Sequence, residues 1–425
     1  MTPVLLVSMI ILFLMTVPIA LSIGLASTLA VWFDGNMPLT VIVQRIFTSL
    51  DSFPLMAIPF FIIAGSLMET GGISKRLVHF ANTLAGSMTG GLAGVTVITS
   101  MFFAAISGSS PATVAAIGSI MIPAMVAKYY DVNFAAAVQA VAGALGVIIP
   151  PSIPMILYGV VVGVSIGDLF MAGIIPGLMI GFSLVLTAVI ISKRRGYKGT
   201  EQFTWQERVV AFKNAIFAIL MPIIILGGIY GGIFTPTEAA VVAVFYALII
   251  GLFVYREIKI KDLIPVFMRS GITTAIIMLI IGNAGLLGWL LTKERIPQTV
   301  AQSFISFSDN PLVFLLIVNI FLLIVGMFFE TSASVIILAP ILAPIAIALG
   351  IDPIHFGIIM VVNLAIGMVT PPLGVNLFVA MQISKVRLEQ ISKAVIPFLI
   401  VLIINVLLIS YIPGISTFLV DFLKQ

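Results

Sequence analysis

Two short polar runs interrupt long apolar stretches of this sequence, and both carry oxygen atoms suited to binding a cation. The first, Ser107 to Thr113, holds four hydroxyl side chains, and the second, Glu330 to Ser334, holds one carboxylate and three hydroxyls. A helix that ends at such a run leaves carbonyls free for a cation, and one that begins there presents amides to a carboxylate. The alternative for each run is a capped turn between two helices, without a ligand.

Both runs lie in a segment that occurs twice. Gly146 recurs as Gly367, at an offset of 221 residues (367 − 146 = 221). The same offset superimposes three further features: Pro150-Pro151 on Pro371-Pro372, Asp131 on Asp352, and Pro123 on Pro344. Proline removes an amide donor and disfavours helix in the residue before it, so each proline pair should unwind its helix. Helix breaks at corresponding positions of two membrane halves indicate a transporter's binding site.

Composition identifies the chain as a polytopic membrane protein. Hydrophobic residues make up 61% and charged residues 8%, with a mean hydropathy of +1.27, whereas soluble domains are about 25% charged. Cysteine is absent and the two histidines are far apart, which excludes disulfides and argues against a histidine metal site. We find no nucleophile and base pairing and no phosphate loop, so neither an enzyme nor an ATP-driven pump is expected.

The distribution of positive charge predicts the topology. If each polar run is the tip of a hairpin that enters and leaves on one face, 16 of the 20 Lys and Arg residues fall on one side. Basic loops stay cytoplasmic, so this side is the cytoplasm. The four on the outer face are Arg45, Lys293, Arg295 and Lys424. The basic residues of the cytoplasmic side account for the pI near 9.3. No nucleic-acid partner is therefore expected, and the lipid bilayer is the expected surrounding.

The predicted fold class is an all-α polytopic membrane protein with inverted repeats, two re-entrant helical hairpins and broken helices. The first repeat spans 1–192 with its hairpin at 88–127, and the second spans 237–425 with its hairpin at 312–349. A basic cytoplasmic linker and an extra helix occupy 193–236. Leu39 to Leu50 and Ile258 to Phe267 are predicted to lie along the membrane interface or to be ordinary connectors. Met1 to Phe33 is compatible with one long kinked crossing or with two short ones, and we predict one crossing, which begins in the cytoplasm.

Residue types around the tips suggest how ligands are held. Carbonyls freed near Gly146 and Gly367 should point towards the tips. Glu330 is a carboxylate deep in an apolar segment, where a charge is costly enough to be functional by default; it coordinates a cation, carries a proton, or caps the returning helix. Gln139 and Asn363 are assigned to helix packing. The expected substrate contacts are Ser109, Ser110, Thr113, Ser152, Ser332, Ser334 and Asn376, with Tyr158 as a further polar group nearby.

These residues resemble a known family, the large (DctM-like) membrane subunit of tripartite ATP-independent periplasmic (TRAP) transporters, over essentially the whole chain. The resemblance rests on four segments in order, which begin at Leu50, Ser107, Gly232 and Val369: LDSFPLMAIPFF, SGSSPATVAAIG, GIFTPTEAA and VTPPLG. It implies an elevator-type secondary transporter of the bacterial inner membrane that imports an organic acid, such as a C4-dicarboxylate or sialic acid, by sodium symport. We favour sialic acid on overall likeness.

The resemblance also implies partners and ligands. Substrate would come from a periplasmic binding protein, and a separate small four-helix membrane subunit would assist; no organic cofactor is expected. The transport domain would comprise 88–164 and 312–384, with the remainder as scaffold. Two or more sodium sites would be formed by Ser107, Ser110, Gly146, Val147 and Pro150 in one half, and by Glu330, Thr331, Gly367, Met368 and Thr370 in the other. Arg45, Asp51, Lys293 and Arg295 would contact the binding protein or be merely solvated. The alternative is a self-sufficient sodium- or proton-coupled carboxylate symporter.

Overall fold

The computed structural model describes residues 1–197, 199, 203–299, 302 and 310–424, and its regular elements there are all helical. Ten helical segments in this part of the chain are long and apolar enough to cross a membrane, so the protein is a multi-pass membrane protein. Lys198, one of the predicted cytoplasmic basic residues, lies outside the described residues. The helices of the first half are α1 (Thr2–Leu14), α2 (Ile19–Asp34), α3 (Thr40–Leu50), α4 (Ala57–Thr70), α5 (Ile73–Ala85), α6 (Gly91–Ser107), α7 (Ser110–Ala127), α8 (Val132–Gly143), α9 (Leu145–Ile148), α10 (Ile153–Val162) and α11 (Ile166–Arg194).

The second half repeats much of this order. Its helices are α12 (Trp205–Tyr230), α13 (Pro236–Ile249), α14 (Ile260–Lys293), α15 (Pro311–Phe328), α16 (Thr331–Ala348), α17 (Pro353–Gly367), α18 (Val375–Ser384), α19 (Leu388–Tyr411) and α20 (Gly414–Leu423). A 3₁₀ turn, Phe53–Met56, precedes α4, and a π-helical turn, Ile250–Val254, ends α13. The stretch predicted at Ile258 to Phe267 forms the first turns of the 34-residue α14 and is continuous with the crossing that follows.

The N-terminal prediction of one crossing is wrong. Helices α1 and α2 pack against each other, and the Met1 ammonium lies 3.9 Å from an Asp34 carboxylate oxygen. Both ends of this segment therefore lie on the same face. The chain turns where Thr16 adopts a positive φ of 59° and where Pro18 precedes α2, because proline cannot continue the hydrogen-bond ladder of a helix.

Two helix pairs form around the polar runs, and local chemistry explains their turns. Between α6 and α7, Gly108 has a φ of 59°, a left-handed conformation that glycine adopts without steric cost. Pro111 then occupies the first turn of α7, where its missing amide is harmless. Between α15 and α16, the Glu330 side chain caps α16. The helices after both pairs begin alike, because Asp131 caps α8 and Asp352 caps α17.

The helices pack into two groups. In the first group, α14 packs against α2, α3 and α4, and α13 packs against α4. Helix α12 packs against α5 and α13. The other group contains both helix pairs, the broken segments α8 to α10 and α17 to α18, and also α11, α19 and α20. Ion pairs join segments that are distant in sequence: Arg76 with Glu257 at 2.6 Å and Lys424 with Asp168 at 2.6 Å.

Candidate functional site

A cavity of about 440 Å³ lies between the tips of the two helix pairs and the helices α4 and α14. The first tip contributes Ser107, Gly108 and Ser109 together with Pro111 and Ala112, and the second contributes Glu330, Ser332 and Ala333. The opposite wall is formed by Ile62, Gly65, Ser66 and Glu69 of α4 and by Thr273, Ile276, Ile277 and Ile280 of α14. The two polar runs, more than two hundred residues apart in sequence (330 − 107 = 223), therefore line one cavity.

Oxygen atoms converge at the first tip. The Ser107 and Thr113 hydroxyls lie 2.9 Å apart, and they donate to the Ser109 carbonyl at 3.2 and 2.8 Å. Gly146 of the broken segment touches this group: a Cβ added there would lie 2.5 Å from the Ser109 carbonyl oxygen and 2.6 Å from the Thr113 hydroxyl. No side chain fits at that separation, so the main chain of Gly146 lies directly against the oxygens.

The helix beside the first tip is interrupted at the first proline pair, and the Val147 carbonyl there is bonded by a side chain. Helix α9 ends at Ile148 and α10 begins at Ile153, and the Pro150-Pro151 peptide between them is cis. Ser152 caps α10 and donates its hydroxyl to the Val147 carbonyl at 2.6 Å. The helix is therefore interrupted next to the tip, at the position that we predicted from the proline pair.

The second tip is organised around Glu330. Its carboxylate accepts hydrogen bonds from the Ser332 amide at 2.7 Å, the Ala333 amide at 3.3 Å and the Ser332 hydroxyl at 3.0 Å. Capping, one of the three roles left open for Glu330, is therefore present. Beside it, the buried Thr331 hydroxyl has no hydrogen-bond partner among the described residues. A buried hydroxyl without a partner is costly, so this oxygen is available to a ligand.

The second broken segment packs closely against α15, the helix that leads to its tip. A Cβ added at Gly367 would lie 2.5 Å from the Gly326 Cα of α15, so the two backbones touch. The Pro371-Pro372 peptide is cis, and the Thr370 hydroxyl donates to the Ile366 carbonyl at 2.8 Å. The Met368 carbonyl accepts from the Asn376 amide nitrogen of the main chain at 3.0 Å.

One side chain ties the two halves together. The Asn376 side-chain amide lies 2.7 Å from the Ser110 hydroxyl and donates to the Ala140 carbonyl at 3.2 Å. Ser110 is also within 2.9 Å of the Gly143 carbonyl. Both side chains are fully buried. The second broken segment is therefore bonded to the first tip, so a displacement of one is transmitted to the other.

The predicted substrate contacts divide into two sets. Ser109 and Ser332 line the cavity, whereas Ser110, Thr113, Ser152, Ser334 and Asn376 are buried behind its wall. Tyr158 is also buried, with its hydroxyl bonded to the Pro353 carbonyl at 2.7 Å. As the sequence indicated, Gln139 and Asn363 join helices, through the Thr113 carbonyl at 3.2 Å and the Asn319 side chain at 2.8 Å.

Sequence reasoning missed the wall that faces the tips. Glu69 and Ser66 lie on the cavity face of α4, and the Ser66 hydroxyl is 3.1 Å from that of Ser270 on α14. Glu69 lies at the end of a predicted crossing, where a carboxylate is usually only solvated. In the sequence, only the presence of an acidic residue beside an apolar span could have indicated that Glu69 lines the cavity. Within the described part of the chain, no group of three or more His, Cys, Asp or Glu side chains is suited to a metal ion. Hydroxyls, carbonyls and Glu330 are thus the donors offered at the tips.

Comparisons with known proteins agree with this architecture. Residues 6–415 match the model of the family described as "Tripartite ATP-independent periplasmic transporter, DctM component". The chain is 48% identical over 406 residues to the isethionate TRAP transporter permease protein DctMQ of Oleidesulfovibrio alaskensis, covering 95% of this chain and 64% of that protein. It is 43% identical to the C4-dicarboxylate TRAP transporter large permease protein DctM of Vibrio cholerae, covering 95% and 94%, and 39% identical to the sialic acid large permease SiaM of the same organism, covering 87% of each. The crystal structure of the Alcanivorax borkumensis YdaH transporter has a similar fold, with a TM-score of 0.58 over 88% of this chain and 87% of that one at 14% identity.

Proposed function

Because the chain belongs to the DctM component family of tripartite ATP-independent periplasmic transporters, we propose that this large permease imports an organic acid by sodium symport. The observation that carries the proposal is the shared cavity, on which both polar tips meet beside the converging oxygens of Ser107, Ser109 and Thr113. A sodium ion needs several oxygen ligands, and unwound helices supply them in transporters. Glu330 and Thr331 at the second tip supply a second donor set, in which Thr331 has an unused hydroxyl.

The substrate anion is proposed to bind at the first tip. The amides at the start of α16 are already bonded to the Glu330 carboxylate, whereas the start of α7, at Ser109 and Ala112, is a positive helix end on the cavity. Sodium bound behind this tip adds positive charge next to the substrate. Binding of the two ligands is then cooperative, as symport requires.

The substrate class is inferred from the relatives. The relatives named for isethionate, a C4-dicarboxylate and sialic acid share 48%, 43% and 39% identity with this chain. All three compounds are organic acids. This ranking favours a small sulfonate or dicarboxylate over sialic acid, and it replaces our preference for sialic acid from overall likeness.

The partners follow from the family. We assign the chain to the bacterial inner membrane, with a small four-helix membrane subunit beside it and a periplasmic protein that delivers substrate. Two of the predicted contact residues lie beside the same aromatic ring: the Arg45 guanidinium is 4.6 Å from the Trp289 ring centroid and the Lys293 ammonium is 5.7 Å from it. These cations offer the delivery protein a basic, aromatic surface.

Movement of the cavity is proposed to follow an elevator mechanism between inverted repeats. The matching Asp caps, and the proline pairs that separate two helices in each half, support the repeat. Both tips and both broken segments pack as one group, and α11, α19 and α20 pack with them. We therefore extend the transport domain beyond 88–164 and 312–384 to include these three helices. Helices α4, α12, α13 and α14 belong to the scaffold.

Uptake into proteoliposomes tests the proposal. The chain is reconstituted with its small subunit and supplied with binding protein, and labelled isethionate, succinate and sialic acid are offered under an inward sodium gradient or an equal choline gradient. We expect uptake of one acid that requires sodium and all three proteins. Uptake by the single chain alone would identify the self-sufficient symporter instead. Uptake driven equally by a proton gradient without sodium would overturn sodium coupling.

A further inference from the structure

A second polar cavity, of about 490 Å³, lies away from the tips, on the face that the charge distribution assigns to the cytoplasm. Three elements enclose it: the amphipathic helix α5, the first half of α12, and the segment that follows α13. The lining includes Lys75, Arg76 and His79 of α5, Lys213 of α12, and Tyr255 and Glu257 of the segment after α13. Three permanent cations against one carboxylate make this cavity basic, and the proposed transport mechanism does not use it.

One side of the cavity is fixed by its own contacts. The Arg76 guanidinium donates to the Glu257 carboxylate at 2.6 Å and to the Gly72 carbonyl at 3.0 Å, and it lies 3.8 Å from the centre of the Tyr255 ring. The Tyr255 hydroxyl in turn donates to the Asn214 carbonyl at 2.8 Å. Arg76 therefore neutralises Glu257, and the remaining charge of the cavity comes from the lysines.

The two lysines are held on separate helices and are available to a ligand. Lys75 on α5 and Lys213 on α12 are exposed, and neither forms an ion pair among the described residues. His79 lies one turn after Lys75, on the same face of α5. The acidic group near it, Glu207, is engaged in capping α12, with its carboxylate 2.7 Å from the Thr204 amide nitrogen. Two uncompensated ammonium groups thus face the same space.

The surroundings of the cavity suit a lipid. Val254 lines it and is 44% exposed, and the adjacent Phe253 and Phe212 are 69% and 42% exposed. Exposed apolar side chains next to a basic pocket on the cytoplasmic side are the arrangement that binds anionic headgroups, with acyl chains along the apolar surface. A free phosphate ion would use the lysines but would leave this apolar surface unused.

We propose that the cavity between α5, α12 and the end of α13 binds the phosphate group of an anionic phospholipid, with Lys75 and Lys213 as its cationic contacts. Helix α5 connects α4 of the scaffold to the first helix pair, and α12 is the extra helix without a counterpart in the duplication. A bound headgroup joins these two helices across the cavity. The lipid then stabilises the junction from which the first helix pair extends.

Native mass spectrometry of the purified chain tests the assignment. Phosphatidylglycerol and phosphatidylcholine are titrated separately against the wild type and against the double variant Lys75→Gln/Lys213→Gln. The matched control is Lys193→Gln/Lys393→Gln, which removes the same charge from exposed positions on the same face outside the cavity. The melting temperature is followed in parallel with each lipid and with inorganic phosphate alone.

The wild type and the control should bind phosphatidylglycerol in preference to phosphatidylcholine and melt at a higher temperature with it. Each lysine removed should weaken the apparent Kd about fivefold, since a basic residue at an anionic surface contributes about that factor. Equal weakening in the control variant, or unchanged binding in the cavity variant, would overturn the site. Stabilisation by millimolar inorganic phosphate that also displaces the lipid would overturn the lipid assignment in favour of a soluble phosphate.

Discussion

Replacing Gly146 with alanine should weaken sodium binding at the first tip. Gly146 lies where the broken segment touches the first tip, and the added Cβ would lie 2.5 Å from the Ser109 carbonyl oxygen and 2.6 Å from the Thr113 hydroxyl. Real Cβ atoms essentially never approach within 3.0 Å, so one of the two backbones must move by about half an ångström (3.0 − 2.5 = 0.5). Both contacts are proposed cation ligands, and the nearer is main chain, which cannot rotate away as a side chain can.

The size of the effect follows from packing energetics. Forcing an extra methyl group into a well-packed site costs about 1 to 3 kcal/mol. If that strain is relieved by moving the Ser109 carbonyl outward, the loss appears in sodium affinity, which would fall by about fivefold to more than a hundredfold. If it is not relieved, the loss appears in stability instead. The two cases are separated by measuring both quantities.

The assay is a titration of the melting temperature with sodium chloride at constant ionic strength, balanced with choline chloride. A ligand that binds only the native state raises the melting temperature once its concentration exceeds its Kd, and the rise then grows with the logarithm of the concentration, so the concentration at which the rise begins reports the Kd. Two controls are available: Gly94→Ala, whose Cβ would meet Val189 at an ordinary 3.5 Å, and Gly357→Ala, whose Cβ would meet the Tyr158 ring at 2.5 Å away from the tips. Only Gly146→Ala should move the sodium concentration at which the rise begins. An unchanged onset concentration in that variant, or the same shift in Gly357→Ala, would refute the reasoning.

Three further predictions concern the tips. Thr331→Val should leave the melting temperature without sodium unchanged or higher, because it removes a buried hydroxyl that has no partner, and should reduce the sodium-dependent rise; an equal rise would exclude this hydroxyl as a ligand. Asn376→Ala should destabilise the chain by about 1 to 3 kcal/mol in denaturant unfolding, since the buried Ser110 hydroxyl keeps only its bond to the Gly143 carbonyl and the Ala140 carbonyl loses the side-chain amide; a loss under about 0.5 kcal/mol, the usual scatter of such measurements, would mean that this link is not needed. A cysteine at Ser109, in a chain without native cysteine, should react with a membrane-impermeant thiol reagent from one side without substrate and from the other during transport, while Ser152→Cys stays protected; reaction from both sides in every state would indicate a channel.

The helix breaks and their caps were predictable from residue type. The proline pairs at 150–151 and 371–372 lie between helices, as expected from their missing amide and their effect on the preceding residue. Asp131 and Asp352, matched only by their offset, both cap the helix that follows. The polar tips were likewise recognisable, because a polar run inside an apolar stretch has few structural explanations.

The arrangement around the cavity was not predictable in the same way. Ser109 and Ser110 are adjacent in sequence, yet one lines the cavity and the other is buried against Asn376, 266 residues away. Which of two neighbouring hydroxyls faces a cavity depends on the residue at which the helix starts. If the helix started one residue earlier or later, the other hydroxyl would face the cavity. The N-terminal turn was missed for a related reason: an unbroken apolar run around Pro18 is compatible with one kinked crossing or with two packed helices, and only the contact of Met1 with Asp34 decides.

Direct sodium binding tests the central claim, that the two tips each hold a sodium ion. Radioactive sodium is titrated onto the purified chain, onto Ser107→Ala and Thr331→Val separately, and onto the double variant, with binding expressed per folded molecule. Each single variant should lose one saturable component of sodium binding. The double variant should bind no radioactive sodium above the background that remains with excess unlabelled sodium. Wild-type stoichiometry and affinity in the double variant would contradict the account.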